Sequence, residues 1–323
     1  METGSGDVCT LPEGCISHVI SLTSPADSCR SMAVCTTFRS AAVSDTVWER
    51  FLLPDYQSIL SRAVHPVEYS SKKELFFRLC EPILIDDGKM SFSLDKSSGA
   101  KCYMLSARQL FIVWGDTPHY WTWHPLPDSR FSEVAELINV CWLELGGTIQ
   151  SRVLTPKTIY AAYLIFKVDQ NSRGLGFPNQ ETTVKLGSQV SKHTLSIQPI
   201  AAKRRRTRWC MLNLIWGATG EGHADAEENQ FAARAPQARD GDWMVMGECY
   251  EDDGEEGHAD AEENRIAART PQARADGWME MEMGEFYNDD GEDGEVELSL
   301  MEVKGGNWKS GLTIQGIEIR PKK

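Results

Sequence analysis

From about residue 88 onward, apolar and polar residues alternate in short segments, and this period of two limits the possible folds more than any other feature of the sequence. Met90, Phe92 and Leu94 alternate with polar residues, and residues 158 to 168 predict one long strand that is apolar from 159 to 166. Turn-forming residues follow about every ten positions, and no long helical segment intervenes. The pattern predicts an antiparallel β-sandwich.

One stretch, residues 106 to 123, joins an apolar run to an aromatic turn. Residues 110 to 114 are all apolar, which predicts a strand buried on both faces that ends at Gly115. Three aromatic rings then stand within four positions: Tyr120, Trp121 and Trp123. Trp121 and Trp123 share one face of an extended segment, and together with Trp114 they are predicted to line a shallow aromatic platform.

Aromatic rings beside a carboxylate suit carbohydrate binding, because sugars offer C–H patches that stack on rings and hydroxyls that need polar partners. Asp116 follows the turn tryptophan closely and is placed to accept such a hydroxyl. The alternative left open is that Trp114, Trp121 and Trp123 are packed in the core, where tryptophan is often found. Trp142 lies in an apolar segment and is predicted to be structural.

The first fifty residues show signals for short helices instead. Pro12 opens one helix, and Ser24 is predicted to cap a second whose first residue is Pro25. Ser44 starts a further helix, which Pro54 ends. Fifty residues in short helices bury too little apolar surface to form a stable core by themselves. We therefore expect this unit to need a partner that covers its apolar side.

The apolar positions of this unit, with Asp27, resemble the F-box motif over residues 7 to 55, and Phe38 stands where the motif commonly has Trp. The resemblance implies docking on a Skp-type adaptor and through it on a cullin. The implied adaptor contacts are Leu11, Pro12, Ile16, Ile20, Pro25, Val34, Cys35, Phe38, Trp48 and Leu52. The alternative is a helical packing unit without a partner.

Several separated motifs between about residues 89 and 321 resemble the phloem lectin (phloem protein 2) family. They are Ala107-Arg108, residues 112–123, 133–137, 141–142, 276–278, 284–286, 291–296 and 308–311. The resemblance implies a jelly-roll-like sandwich that binds a glycoprotein or N-glycan. The tobacco lectin of that family binds N-acetylglucosamine oligomers and N-glycans through tryptophans matching Trp114 and Trp121. The predicted carbohydrate site is therefore Trp114, Asp116, Tyr120, Trp121 and Trp123.

The net charge of -14 conceals a local acidic tract, since residues 220 to 297 hold 25 of the 47 acidic residues and 5 of the 33 basic ones. Residues 222–239 recur at 257–274, so we expect an acidic duplicated insertion at about 200–256 within the sandwich. It departs from the family pattern. The basic run Lys203, Arg204, Arg205 and Arg206 is either a nuclear import signal or a solvated loop. Its acidic neighbours argue against nucleic acid as a partner.

Other classes of function find no support in the sequence. No apolar segment approaches the roughly 20 residues that span a bilayer, and the start does not resemble a signal peptide, so we expect no membrane partner and a cytoplasmic or nuclear protein. The nine cysteines lack a paired CxxC, which favours reduced thiols. Scattered histidines and the lack of a G-x-S-x-G elbow predict no catalytic residue, metal or cofactor.

The sequence therefore predicts a multidomain α + β protein: an F-box unit at 7–55, a helical connector at 56–87 and an antiparallel sandwich at 88–321. The function that follows is substrate recognition for a cullin-RING ubiquitin ligase, with a carbohydrate or glycoprotein as the target. Two alternatives stay open at this point. One is a receptor for a protein surface without sugar binding, and the other is a free lectin whose F-box does not dock.

Overall fold

The computed structural model of the chain describes residues 11–198, 269–289 and 294–322, and within them short helices precede two sheets. The helices are α1 (Glu13–Ser21), α2 (Pro25–Ser31), α3 (Thr36–Val43), α4 (Asp45–Phe51), α5 (Tyr56–Ser61) and α6 (Lys72–Leu79). The strands are β1 (Ile83–Ile85), β2 (Met90–Leu94), β3 (Lys101–Ser106), β4 (Phe111–Ile112), β5 (Trp121–His124), β6 (Val134–Leu137), β7 (Leu143–Gln150), β8 (Thr158–Arg173), β9 (Gln180–Leu186), β10 (Gln189–Leu195), β11 (Gln272–Ala273), β12 (Met279–Asn288), β13 (Glu295–Glu302) and β14 (Ser310–Pro321).

The helix boundaries follow the start signals in the sequence. The Ser24 hydroxyl accepts a hydrogen bond from the Asp27 amide at 3.1 Å, so the predicted cap of α2 is confirmed. Ser71 caps α6 in the same way through the Glu74 amide. Helix α4 begins at Asp45 as expected, but without a side-chain cap.

The strands form two antiparallel sheets, as predicted. The larger sheet has the order β1-β2-β3-β14-β8-β12-β11, with β6 pairing β14 and β5 pairing β6. The smaller sheet has the order β10-β9-β13-β7-β4. Buried side chains of both sheets belong to one hydrophobic cluster, for example Leu164 and Ile317 of the larger sheet and Leu145 and Leu298 of the smaller. The core of the domain therefore lies between the two sheets.

The helical unit and the sheets share that core. Phe76 of α6 is fully buried and lies 5.3 Å from Trp48 of α4, ring centroid to ring centroid. The ammonium of Lys101, on β3, contacts the Asp55 carboxylate at 2.8 Å. Strand β1 pairs with β2 although its residues, Ile83–Ile85, fall within the predicted connector. The larger sheet thus begins before residue 88.

The apolar run at residues 110 to 114 is not the doubly buried strand that the sequence predicted. Only Phe111 and Ile112 pair with β7, at the edge of the smaller sheet, and Phe111 is half exposed. The chain then turns away, and Trp114 adopts a left-handed backbone with φ of 58°. An edge position leaves one row of backbone N–H and C=O groups without a partner strand, so β4 is short and the chain can leave the sheet here.

None of the helices in the described ranges has the length and apolar character needed to cross a membrane.

Candidate functional site

Helix α1 has a buried face and an exposed apolar face. Its inner side carries Ile16 and Ile20, which are 2% and 3% exposed. Its exposed side carries Cys15 and Val19. Together with Leu11, just before the helix, and Leu22, its C-cap residue, they form what we call the α1 stripe. Val19 and Leu22 are each 59% exposed, an unusual exposure for aliphatic side chains on one helical face. The stripe is therefore an apolar surface that no described part of the chain covers.

The structure divides the ten predicted adaptor contacts into surface and core residues. Leu11, Pro12 and Val34 are exposed, and Cys35 and Phe38 are half-buried. The other five are buried, which corrects their predicted role as contacts: Ile16, Ile20, Pro25, Trp48 and Leu52. They pack the helices against one another. In this arrangement they hold the docking face in position but do not contact the partner.

The motif match did not identify Val19 and Leu22. Val19 and Leu22 are three positions apart, which places them on the same side of a helical turn. That signal was present in the sequence, but only the burial of Ile16 and Ile20 shows which side of α1 is outside.

The second candidate surface is built on the turn that follows β4. The Trp114 carbonyl accepts a hydrogen bond from the Thr117 amide at 2.9 Å, and the Gly115 amide donates to Ile112. This tight turn presents the Trp114 ring to solvent, where it is 42% exposed. The tryptophan is therefore a surface residue, consistent with its predicted role in binding.

Three rings form what we call the aromatic corner: Trp114, Tyr120 and Trp142. The centroids of Trp114 and Tyr120 are 5.3 Å apart, with the planes inclined by 41°. Trp142 lies 6.5 Å from Trp114 with an interplanar angle of 76°, an edge-to-face pair. The Trp142 indole nitrogen donates to the Glu144 carboxylate at 2.8 Å, which fixes the orientation of the ring.

The prediction that Trp142 is structural was wrong, because its ring is 45% exposed. Its apolar neighbours Val140 and Leu143 are buried, and the chain bends between them, so the intervening ring is turned outward. The apolar context of Trp142 in the sequence suggested burial, and no local pattern marked the bend.

Trp121 and Trp123 do not form the predicted platform. Trp121 is 2% exposed on β5, where pairing with Leu137 of β6 holds its ring in the core, so its predicted contact with sugar is corrected. Trp123 is half-buried, and the Arg108 guanidinium covers one face of its ring at 3.7 Å. Its indole nitrogen donates to the Gly115 carbonyl at 2.8 Å. Trp123 therefore supports the turn that carries Trp114.

Carboxylates flank the exposed rings. Asp116 is exposed in the turn, two positions after the left-handed tryptophan, and Glu144 lies beside Trp142. Carboxylate oxygens accept hydrogen bonds from hydroxyl groups, and ring faces accept C–H patches. The turn after β4 and the start of β7 thus supply both kinds of contact, and the residues named here include no nucleophile paired with a base. The predicted import residues Lys203 to Arg206 and the insertion at about 200–256 lie outside the described residues.

Comparison with protein families matches two parts of the chain. Residues 100–321 match the phloem protein 2 family, and residues 8–54 match the F-box-like family. The first match covers the sandwich from β3 onward, and the second covers helices α1 to α4.

Similar proteins from Arabidopsis thaliana share both parts. F-box protein At2g02240 is 40% identical over 99% of this chain and 82% of its own length. F-box protein PP2-B15 is 40% identical over 97% of this chain and 96% of its own, and F-box protein VBF is 40% identical over 97% and 99%. The chain therefore belongs to the phloem protein 2 family, as a member that carries an amino-terminal F-box.

Proposed function

We propose that this protein is a substrate receptor of an SCF-type cullin-RING ubiquitin ligase. Its F-box docks on the Skp-type adaptor, and its sandwich holds a carbohydrate-bearing target for ubiquitin transfer by other subunits. The observation that carries the first part is the open α1 stripe on a helical unit whose buried residues already belong to the same hydrophobic cluster as those of the sheets.

The α1 stripe favours an apolar protein partner. Burial of exposed aliphatic side chains contributes about 25 cal/mol for each Å² removed from water, so a complementary groove would gain free energy from each of its residues. Cys15, Val19 and Leu22, at i, i+4 and i+7 along α1 and its C-cap, form an apolar face that suits docking against helices or into a groove. No charged side chain belongs to the stripe, so little desolvation cost opposes its burial.

Val19→Glu is expected to weaken adaptor binding by about 100-fold or more, because the complex would bury an unpaired carboxylate. Co-purification and isothermal titration with the adaptor measure the loss. Val190→Glu is the matched control, since Val190 is 53% exposed on edge strand β10, and it should bind as the wild type does. Unchanged adaptor binding by a folded Val19→Glu protein would contradict docking through the α1 stripe.

The second part of the proposal assigns carbohydrate binding to the aromatic corner. Trp114 can stack against one face of a sugar ring while Trp142, inclined by 76°, borders the same ligand from the side. Asp116 and Glu144 offer acceptors for hydroxyl groups at the edge of the ring. The exposed parts of Trp114 and Trp142 are apolar surface in contact with water, which is unfavourable, and a bound ligand would cover this surface.

Trp114→Ala is expected to lower affinity for N-acetylglucosamine oligomers or N-glycans by about tenfold, the equivalent of about 1.4 kcal/mol, because the stacking face is lost. A glycan array identifies the ligand, and titration gives the affinities. Tyr69→Ala is the matched control, because Tyr69 is 42% exposed on the connector and should have no effect. Equal affinities of Trp114→Ala and wild type would remove the aromatic corner as the site.

One observation favours recognition of a protein surface instead. Trp121 is buried and Trp123 is covered by Arg108, so fewer rings are available to sugar than the sequence predicted. Wild-type protein that binds the adaptor but no glycan on the array would favour this alternative. Glycan binding without adaptor binding would favour a free lectin.

A further inference from the structure

Lys309 is a fully buried lysine whose ammonium makes three polar contacts. Its side chain is 0% exposed and pairs with the carboxylate of Glu302, which is 2% exposed. The same ammonium donates to the Cys141 carbonyl and to the Asn307 carbonyl, each at 2.7 Å. The ammonium therefore donates two hydrogen bonds to backbone carbonyls and forms an ion pair with the carboxylate.

Stability alone gives a weak reason for such a pair. Removing two charges from water costs several kcal/mol for each ion, and apolar residues of similar volume often replace a buried pair with little loss or a gain. Apolar replacements could not hold the two carbonyls, however, because they offer no donor. The distinctive property of the Lys309–Glu302 pair is therefore the position that it imposes on Cys141 and Asn307.

The position of Cys141 bears directly on the aromatic corner. The Lys309 backbone also forms two hydrogen bonds with the Val140 backbone, of 2.7 and 3.0 Å. Lys309 therefore holds Val140 through its backbone and Cys141 through its side chain. Trp142 is the next residue, and its ring meets Trp114 edge to face at 6.5 Å. On the other side, Glu302 accepts from the Gly305 amide at 2.8 Å, which anchors the carboxylate.

We propose that the buried Lys309–Glu302 pair is a positioning element of the ligand site, which holds Trp142 against Trp114 through the Cys141 carbonyl. The proposal rests on the proposed carbohydrate site for its function, but the placement of Trp142 can be measured without any ligand. Neither residue contacts the ligand in this proposal. Their effect on binding passes through the orientation of one indole ring.

The test replaces both charges, with Lys309→Met and Glu302→Gln combined. The glutamine oxygen can still accept from the Gly305 amide, and the methionine fills the lysine volume without a donor. The readout is ¹⁹F NMR of protein labelled with 5-fluorotryptophan, in which the Trp142 signal is assigned by its loss in Trp142→Phe. We expect the Trp142 line to shift or broaden while that of buried Trp278 stays unchanged.

The matched control is Lys101→Met combined with Asp55→Asn, since Lys101 is 8% exposed in an ion pair that holds the helical unit instead. This control should leave the Trp142 line and glycan affinity as in the wild type. In the first double variant we expect binding of N-acetylglucosamine oligomers to weaken about fivefold. An unchanged Trp142 line in that variant, folded, would overturn the proposal.

Two further outcomes separate the proposal from the proposed function. If wild-type protein binds no glycan but the Trp142 line still responds, the carbohydrate assignment fails and the positioning role stands. If the double variant does not fold, Glu302→Gln alone is used, because a neutral acceptor holds the ammonium less strongly. A partial broadening of the Trp142 line supports the proposal in that variant, and an unchanged line overturns it.

Discussion

Replacing Trp48 with alanine is expected to destabilise the protein by about 3 to 5 kcal/mol, the range for truncation of a large buried aromatic residue. The Trp48 ring is fully buried, and the rings of Phe51, Phe76 and Phe77 lie 5.6, 5.3 and 5.3 Å away. Its indole nitrogen donates to the Ala42 carbonyl at 2.7 Å. Alanine would leave a cavity between α4 and α6 and would remove the shorter of two side-chain hydrogen bonds to the Ala42 carbonyl, the other coming from the Ser28 hydroxyl at 3.5 Å.

Chemical denaturation monitored by circular dichroism gives the change in the free energy of unfolding. Trp142→Ala is the matched control, because it removes the same side chain from a position that is 45% exposed, and its effect should stay within about 1 kcal/mol. Adaptor binding should fall together with stability in Trp48→Ala. Loss of adaptor binding at unchanged stability would instead make Trp48 a direct contact, as the motif match predicted.

Replacing Gly316 with alanine is expected to cost about 3 kcal/mol or more, at the upper end of the range for overpacking. Gly316 lies in β14 between β3 and β8, opposite Ser106 and Ile165. A Cβ atom there would lie 1.9 Å from the Leu105 carbonyl oxygen, a backbone atom that cannot move without separating the strands. The loss should appear as a lower midpoint of thermal unfolding or as insoluble protein.

Gly14→Ala provides the comparison for Gly316→Ala. Gly14 lies in α1, where an added Cβ atom would meet nothing within 4 Å. Alanine has the higher helix propensity, so this variant should be stabilised by up to about 1 kcal/mol. A wild-type midpoint for Gly316→Ala would mean that β3 and β14 are not as close as the structure places them.

Local patterns predicted much of the architecture. The Ser24 cap and the alternating strand that begins at Met90 both depend on residues near in sequence, and the structure confirms each. The family relationship was equally accessible, because motifs keep their order and spacing along the chain. Both family matches fall on the segments that the sequence indicated.

The composition of the candidate sites was predicted less well. Trp121 was predicted to line the binding platform but is buried, and Trp142 was predicted to be structural but lies at the surface. In the helical unit, Ile16 was predicted to contact the adaptor but is buried, whereas Val19, three positions later, is exposed. An apolar residue in a sequence signals that it can be buried, but it does not signal which neighbour will bury it.

By itself, the sequence determined the class of the protein: short capped helices, then an antiparallel sandwich, in the order of the F-box and phloem protein 2 families. These features follow from backbone preferences and from hydrophobic periods of 3.6 and 2 residues, which act over a few positions. Only the tertiary structure decided which side of α1 is open and which tryptophans meet at the aromatic corner. Those outcomes depend on contacts between residues far apart in the chain, such as Lys309 with Cys141, and burial is settled where such segments pack.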